Sequence, residues 1–360
     1  MQSRRRAQQT GVAEEPSSSL LDLEALAVKP ATRQLYLAAV VQVQHYHRMS
    51  RADLLSQRSS AVDDMLVRFL NQQASSGGSF HTGAHAVCGV AHLAPHLRSH
   101  LPRARQCLKA WDKLRVQRSH PPVTWELAVL LAVSMSRQGW HAEAVATLVA
   151  FDCYLRISEF LQLCGADVAR ECDPRLGSAQ TAMALRLART KTGLNKFVVL
   201  RDPHVARIFS SFLSFTRPAG TERVFPFSEH RYRTALRCAC AALGVRHWRI
   251  TPHSLRHGGA SRDFLAGASI EQIRHRGRWA SSASAERYVQ SAPALLLQSK
   301  MPAQLRDLAA ALLPSLSDVF AHLLESVSWY HYRSGACVRF APASAAASAS
   351  SAHTSTVRRK

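Results

Sequence analysis

The sequence predicts a mainly helical, two-domain protein with one small β-hairpin or sheet, which is an α+β architecture. Apolar residues recur at three- and four-residue steps through most of the chain, the spacing of one face of an α-helix. One stretch instead alternates apolar and polar residues on both sides of a turn, as paired strands do. With 360 residues, 47% of them hydrophobic, the chain is long and apolar enough for two separate cores.

The first domain follows a short tail. Residues 1–28 are polar and carry Arg4, Arg5 and Arg6, so we expect a disordered basic tail there. Residues 29–118 are expected to form a helical domain. Its helices are predicted from apolar stripes in four segments: 31–46, 61–70, 81–93 and 103–111.

The second domain is expected over residues 119–300, after a polar, proline-ended linker at 115–122. Thr124 can cap a helix, and helices are predicted at 125–137, 141–152 and 157–163. Alternation in 183–187 and an apolar run at 196–200 predict two strands joined by a turn at 191–195. From Pro203 onward the pattern is helical again, and it continues beyond Tyr288.

Two amphipathic helices are expected within residues 301–340, and the Ala/Ser-rich end at 341–360 predicts a disordered tail. Their apolar stripes require a partner surface. That surface is provided either by the same subunit or by a neighbouring one. No continuous apolar run reaches membrane-spanning length, and no secretory signal follows Met1, so a secreted or membrane location is not expected.

The charge predicts a polyanionic partner. Forty-six basic residues against 24 acidic ones leave a formal charge of +22, which favours nucleic acid. The eight cysteines form no regular framework, which indicates a reducing compartment. Cys238 and Cys240 are too close in sequence for a zinc knuckle, and His85 with Cys88 has no second pair. We therefore expect neither a metal site nor a cofactor.

Four segments contain residues suited to chemistry on a phosphate. They are Leu155-Arg156-Ile157-Ser158-Glu159, Arg189-Thr190-Lys191-Thr192-Gly193, His253-Ser254-Leu255-Arg256-His257-Gly258, and Gly277-Arg278-Trp279 with the following Tyr288.

Cutting a phosphodiester without metal requires fixed positive charge, an acid, a base and a nucleophile. Arg156 and Arg256 can clamp the phosphate oxygens in a bidentate manner. A hairpin lysine, Lys191, can protonate the leaving oxygen, and Lys196 on the same hairpin is an alternative. A phenol has a pKa of about 10, so the Tyr288 hydroxyl needs a neighbouring base, for which His253 is the candidate. The Trp279 indole N–H can donate to a phosphate oxygen.

These segments resemble the tyrosine recombinase (phage integrase) family. The resemblance implies catalytic Arg156, Lys191, His253, Arg256, Trp279 and Tyr288, with Glu159 and His257 in supporting roles. It covers about residues 145–290, where Trp279 stands in the place of the more common histidine and makes the catalytic domain Cre-like. For residues 29–118 it implies a core-binding domain that clamps DNA together with the catalytic domain.

The same resemblance implies a function. The expected protein is a DNA recombinase or integrase of a mobile element, which cuts and rejoins double-stranded DNA through a 3′-phosphotyrosine intermediate. It would act as a homotetramer on paired sites, in the nucleus of a eukaryote or otherwise in the cytoplasm or nucleoid. Two alternatives stay open: a type IB topoisomerase-like enzyme, and a domesticated DNA-binding protein that no longer cuts.

The sequence departs from the family pattern at two positions beside the expected site. The family usually has Thr-Gly before the first Leu-Arg pair, where this chain has Cys153-Tyr154. After the His-x-x-Arg-His run the family has threonine, and this chain has Gly258.

Overall fold

The computed structural model describes residues 27–115, 120–170, 182–190, 193–325 and 327. The predicted tail at 341–360, most of the tail at 1–28 and Lys191 lie outside these residues. Within them the chain is mainly helical with one small antiparallel sheet, so the predicted fold class is confirmed. Contacts divide the chain into two compact units, residues 1–118 and 119–360.

The described part of the first unit is a small bundle of α-helices around its own apolar core. The helices are α1 (Pro30–His47), α2 (Arg51–Ser56), α3 (Ser59–Ser75), α4 (Phe80–Leu93) and α5 (Pro102–Leu114). The short α2 helix was not predicted, because six residues are too few to show a helical period. Buried Asp63 accepts the backbone N–H groups of Arg103 (3.0 Å) and Ala104 (2.8 Å), which caps the start of α5.

The described part of the second unit is built around two helices that are buried along most of their length. These are α6 (Trp125–Arg137), capped by Thr124 as predicted, and α7 (His141–Asp152), in which every residue after His141 is buried. The remaining helices are α8 (Ile157–Phe160), α9 (Pro203–Thr216), α10 (Glu229–Ala242), α11 (Pro252–Leu265), α12 (Ile270–Gly277), α13 (Ser282–Glu286), α14 (Ser291–Ser299), α15 (Ala303–Leu312) and α16 (Leu316–Glu325). The α8 helix is shorter than the predicted 157–163, since the chain turns at Leu161.

The sheet of the second unit has three antiparallel strands in the order β1 (Val168–Ala169), β2 (Ala184–Thr190) and β3 (Gly193–Val199). The β2–β3 pair is the predicted hairpin, with Leu187 opposite Lys196 and Thr190 opposite Gly193. Pairing continues further toward the turn than predicted, so Gly193 and Asn195 lie in β3. The two-residue β1 strand was not predicted, because it is too short to show alternation.

The C-terminal helices α15 and α16 pack on the unit that carries them. Ala309 of α15 is buried beside Leu130 of α6, and Leu316, Phe320 and Leu324 of α16 are fully buried in the main core. The apolar stripe of α16 is therefore covered by its own chain, whereas in α15 only Ala309 is buried and Leu308 stays 39% exposed.

Joined through the turn at Leu313–Ser315, the segment Ala303–Glu325 is long and apolar enough to cross a membrane by length and composition. The expectation from the sequence concerned one continuous apolar run, which this segment is not. Charged residues such as Arg306 and Asp318 interrupt the apolar residues of this segment. One such helix is weak evidence, since core helices of soluble proteins pass the same test, and here Phe320 and Leu324 lie in the core.

Candidate active site

One side of the site is formed by the turn that connects α7 to α8. The backbone N–H of Arg156 donates to Glu159 Oε2 (3.0 Å), and its Nη1 donates to Glu159 Oε1 (2.6 Å), so the carboxylate both caps α8 and pairs with the guanidinium. The preceding Tyr154 has a left-handed backbone with φ 49°. Glycine adopts this conformation without steric cost, so Tyr154 occupies a backbone position that favours glycine.

The α11 helix carries Arg256, whose side chain is completely buried. Its Nη1 donates to the carbonyl oxygen of Tyr154, and its Nη2 donates to that of Gly277 (2.6 Å). Burial and the charges of Arg156 and Arg278 lower the pKa of Arg256 to about 9, which leaves the group protonated at neutral pH. The Arg256 guanidinium is therefore held in a fixed position and charged.

Tyr288, which follows α13, lies over the same guanidinium. Its hydroxyl oxygen is 3.4 Å from Nε2 of His253, and its ring centre is 5.2 Å from Cζ of Arg256. The His257 ring stacks on the Tyr288 ring with the centroids 4.6 Å apart, and its Nδ1 is 3.2 Å from the carbonyl oxygen of Tyr288. The α11 helix thus places both histidines against the phenol.

Both histidines are neutral at physiological pH. Burial, together with the neighbouring His257, His120 and Arg256, lowers the pKa of His253 to about 4. Burial also lowers the pKa of His257 to about 4, although the hydrogen bond to the Tyr288 carbonyl opposes that shift. A neutral His253 has one ring nitrogen with a free lone pair, so it can accept the proton of the Tyr288 hydroxyl.

Trp279 closes the site after α12. Its ring lies 4.4 Å from Cζ of Arg256 and 4.8 Å from the Tyr288 ring centroid. Its Nε1–H is buried, and no group in the part of the chain that the structure describes accepts a hydrogen bond from it. Nearly all buried donors in proteins have an acceptor, so this indole is a donor available to a substrate.

Seven of the eight residues that the sequence analysis selected come together here. They are Arg156, Glu159, His253, Arg256, His257, Trp279 and Tyr288. The eighth, Lys191, lies outside the described residues. The alternative acid, Lys196 of β3, lines a cavity of about 420 Å³ together with Arg274, His275 and Trp279. Cationic side chains thus stand next to the Trp279 side of the site.

The glycine at position 258 has a packing reason. A Cβ atom at position 258 would lie 1.9 Å from the Val123 carbonyl oxygen, and one at the next residue, Gly259, would lie 2.2 Å from that of Phe151. Both distances are impossible for real atoms. The two glycines therefore let α11 approach α7 and the segment before α6 closely enough to bring Arg256 to the Tyr154 carbonyl.

Sequence reasoning missed two groups in the site. Arg278 is buried and donates to Glu159 Oε2 (3.1 Å), and Tyr154 supplies a carbonyl acceptor to two arginines. The segment Gly277-Arg278-Trp279 was selected from the sequence, but no signal in it gave Arg278 a role of its own beside the basic residues Arg274 and Arg276. A backbone carbonyl leaves no signal in the side-chain pattern at all.

The arrangement can stabilise an anion and activate a phenol. Three guanidiniums, those of Arg156, Arg256 and Arg278, surround the single carboxylate of Glu159, which leaves an excess of positive charge in a desolvated place. Fixed charges of this kind are most effective for a transition state whose negative charge grows.

The chain was compared with known proteins. No protein-family model matches it, and no curated protein matches it. Among solved structures it is similar to the XerA recombinase, with 17% identity and a TM-score of 0.37 over 75% of this chain and 99% of that one. It is also similar to the Tn1549 transposon integrase in complex with circular intermediate DNA, with 14% identity and a TM-score of 0.48 over 74% of this chain and 98% of that one.

Proposed function

We propose that this protein is a tyrosine recombinase that cuts and rejoins DNA through a covalent 3′-phosphotyrosine bond to Tyr288. The observation that carries the proposal is the meeting of the Tyr288 hydroxyl, the neutral His253 imidazole and the Arg256 guanidinium at one point. A phenol beside a base and a fixed cation is suited to attack on an anionic phosphorus centre.

The cleavage step transfers the DNA phosphate from one oxygen to another. The Tyr288 oxygen forms a bond to phosphorus while His253 accepts the phenolic proton, and the bond from phosphorus to the 5′-oxygen of the next nucleotide breaks. That 5′-oxygen takes a proton from Lys191 or Lys196. Religation runs the same step in reverse with a 5′-hydroxyl as the nucleophile, so neither ATP nor a redox partner is needed.

The guanidiniums and the indole stabilise the phosphate during this step. Arg156 and Arg256 bind the non-bridging oxygens, and Trp279 donates its indole N–H to one of them. Arg256 is enclosed by the rings of Trp279 and Tyr288. The proposal therefore includes an outward movement of the Tyr288 ring as its hydroxyl turns toward phosphorus, which opens Arg256 to the phosphate.

The same proposal covers the N-terminal bundle, the assembly of the protein and its location. The bundle at residues 29–118 acts as a core-binding domain on double-stranded DNA, and the formal charge of +22 favours that partner. Four subunits assemble on paired sites of a mobile element. The protein acts where its DNA is, in the nucleus of a eukaryote or otherwise in the nucleoid.

The decisive experiment traps the covalent intermediate. The protein first selects a duplex from a random-sequence pool, and single nicks are then placed along that duplex so that a short 5′-hydroxyl fragment can diffuse away after cleavage. We expect a protein–DNA band on a denaturing gel, in the presence of chelator. Tyr288→Phe should bind the duplex equally well and give no such band. A band that persists with Tyr288→Phe contradicts the assignment.

The same material separates the alternatives. Exchange of strands between two duplexes supports a recombinase, whereas relaxation of supercoiled DNA without exchange indicates a topoisomerase-like enzyme. Tight binding with no covalent band from the wild-type protein at any nick position identifies a DNA-binding protein that no longer cuts.

A further inference from the structure

Arg278 is a third guanidinium of the site, and it is almost completely buried. Its Nη1 donates to the carbonyl oxygens of Cys153 (3.2 Å) and Arg276 (3.0 Å), and its Nη2 donates to the carbonyl of Tyr154 (3.1 Å) and to Glu159 Oε2 (3.1 Å). The residue has a left-handed backbone with φ 58°, which directs the end of α12 toward the turn after α7. Through these four hydrogen bonds Arg278 fixes the positions of the groups that accept them.

Arg278 and Arg256 compete for the same two acceptors. The Tyr154 carbonyl accepts hydrogen bonds from both side chains. Glu159 Oε2 lies 3.1 Å from Arg278 Nη2 but 3.9 Å from Arg256 Nη1, which is outside hydrogen-bond range. Arg278 thus occupies the position on the carboxylate that Arg256 would otherwise take.

We propose that Arg278 is a positioning residue that keeps Glu159 from capturing Arg256, so that Arg256 stays free to bind the scissile phosphate. This inference rests on the proposed strand-cleavage function. Without Arg278, the buried Oε2 would retain only the Arg156 backbone N–H at 3.0 Å. Oε1 keeps its pair with Arg156, but a buried carboxylate strongly attracts any further cation within reach, and the next guanidinium is then that of Arg256, whose Nη1 lies 3.9 Å from Oε2.

The pKa of Glu159 agrees with a role for Arg278 as the main cationic partner of this carboxylate. Burial by itself raises the pKa of Glu159, but Arg278, then Arg256 and Arg156, outweigh burial and hold that pKa below its ordinary value. Arg278 is therefore the largest counterweight to burial, and without it the Glu159 carboxylate depends more on Arg256 and Arg156.

The first test measures the rate of covalent complex formation with the selected, nicked duplex. Arg278→Gln removes the charge and keeps an amide donor. A shift of Arg256 by about 1 Å should lower the rate about 100-fold, with duplex affinity unchanged. The matched control is Arg231→Gln, which removes a guanidinium from another buried carboxylate, Glu143, away from the site. The control should lose stability but keep the wild-type rate below its melting temperature.

The second test uses a double mutant. If Glu159 captures Arg256, Glu159→Gln in the Arg278→Gln background removes the capturing charge and should raise the rate above that of Arg278→Gln alone. If Arg278 has a merely structural role, the rate losses of the single variants Arg278→Gln and Glu159→Gln should add in the double mutant. Arg278→Gln at the wild-type rate, or additive losses in the double mutant, overturns the inference while leaving the proposed function intact.

Two further outcomes are also decisive. If Arg278→Gln does not fold, Arg278→Lys replaces it. A single ammonium cannot bridge Glu159 and Tyr154 as a guanidinium does, so the rate should fall roughly tenfold, and an unchanged rate overturns the inference. If the wild-type protein forms no covalent complex, the proposed function fails, and the positioning role fails with it.

Discussion

At the residue scale, the indole N–H of Trp279 is expected to lower the stability of the fold and to serve the cleavage reaction. Its buried N–H has no acceptor among the described residues, which costs folding free energy, because a desolvated donor loses its hydrogen bond to water. Its ring meanwhile packs on Arg256 and Tyr288. A donor that does not help the fold is expected where a substrate will accept it.

Trp279→Phe keeps the aromatic packing and removes the N–H. We expect the free energy of unfolding to stay the same or to rise, while the cleavage rate falls about 100-fold, as for the loss of one oxyanion donor. Urea denaturation and single-turnover cleavage measure the two effects. The control is Trp279→His, which retains a donor and should keep more of the rate. Equal cleavage by Trp279→Phe would remove the indole from the mechanism.

The acid side of the pH profile tests His253 as the base. Since its pKa is lowered to about 4, the imidazole should stay neutral, and the second-order rate of cleavage by the free enzyme should stay high, down to about pH 5.5. An ordinary histidine with a pKa of about 6.5 would retain only about a tenth of the rate there. His253→Gln should lower the rate at every pH and abolish this acid limb. A midpoint near about 6.5 in the wild-type profile would contradict the burial-driven shift.

At the element scale, the C-terminal helices complete the core of the second unit. The α16 helix inserts Leu316, Phe320 and Leu324, and Ser317 Oγ lies 2.8 Å from Nδ1 of His204 at the start of α9. Apolar side chains with no exposed surface contribute strongly to folding free energy. Both helices are thus part of the folded second unit, and α16 supplies three of its fully buried side chains.

Phe320→Ala should therefore lower the free energy of unfolding by about 3–5 kcal/mol, because it leaves a cavity in the core. The matched control, Leu308→Ala, truncates a side chain of α15 that is 39% exposed and should cost much less. Chemical denaturation of the monomer without DNA measures both. A Phe320→Ala monomer as stable as the wild type would mean that α16 does not pack in cis in solution.

At the scale of the whole molecule, the fold increases the positive character of the surface. Many acidic side chains are buried and paired with arginines or backbone N–H groups, among them Asp63, Glu143, Asp152, Glu159, Asp167 and Asp202. Of 24 acidic residues in the chain, these six contribute little to the exposed surface. The formal excess of 22 positive charges in the chain is correspondingly available to a polyanion.

Non-specific binding should accordingly be dominated by counterion release. If the protein neutralises about ten phosphates, the plot of log affinity against log salt concentration should have a slope near about −9. Fluorescence anisotropy with a random-sequence duplex measures it, using Tyr288→Phe so that cleavage does not interfere. A slope near about −2 would show that the basic excess does not contact DNA.

The sequence alone determined the features that depend on near neighbours in the chain. The bounds of α6 and α7 follow from local apolar periodicity and the Thr124 cap, and the hairpin follows from local alternation. The candidate site residues were also selected from the sequence, because their joint order over four short segments resembles one family. Each residue alone would more often be structural.

Only the tertiary structure decided which of these groups meet and what holds them. Arg278 contacts the Tyr154 carbonyl across 124 residues of sequence, and Arg256 reaches it across 102. Gly258 is explained only by the approach of Val123. The packing of α16 within its own chain likewise depends on α9, which lies more than a hundred residues earlier. Such contacts arise from packing between distant segments, and a local pattern contains no record of the distance between them.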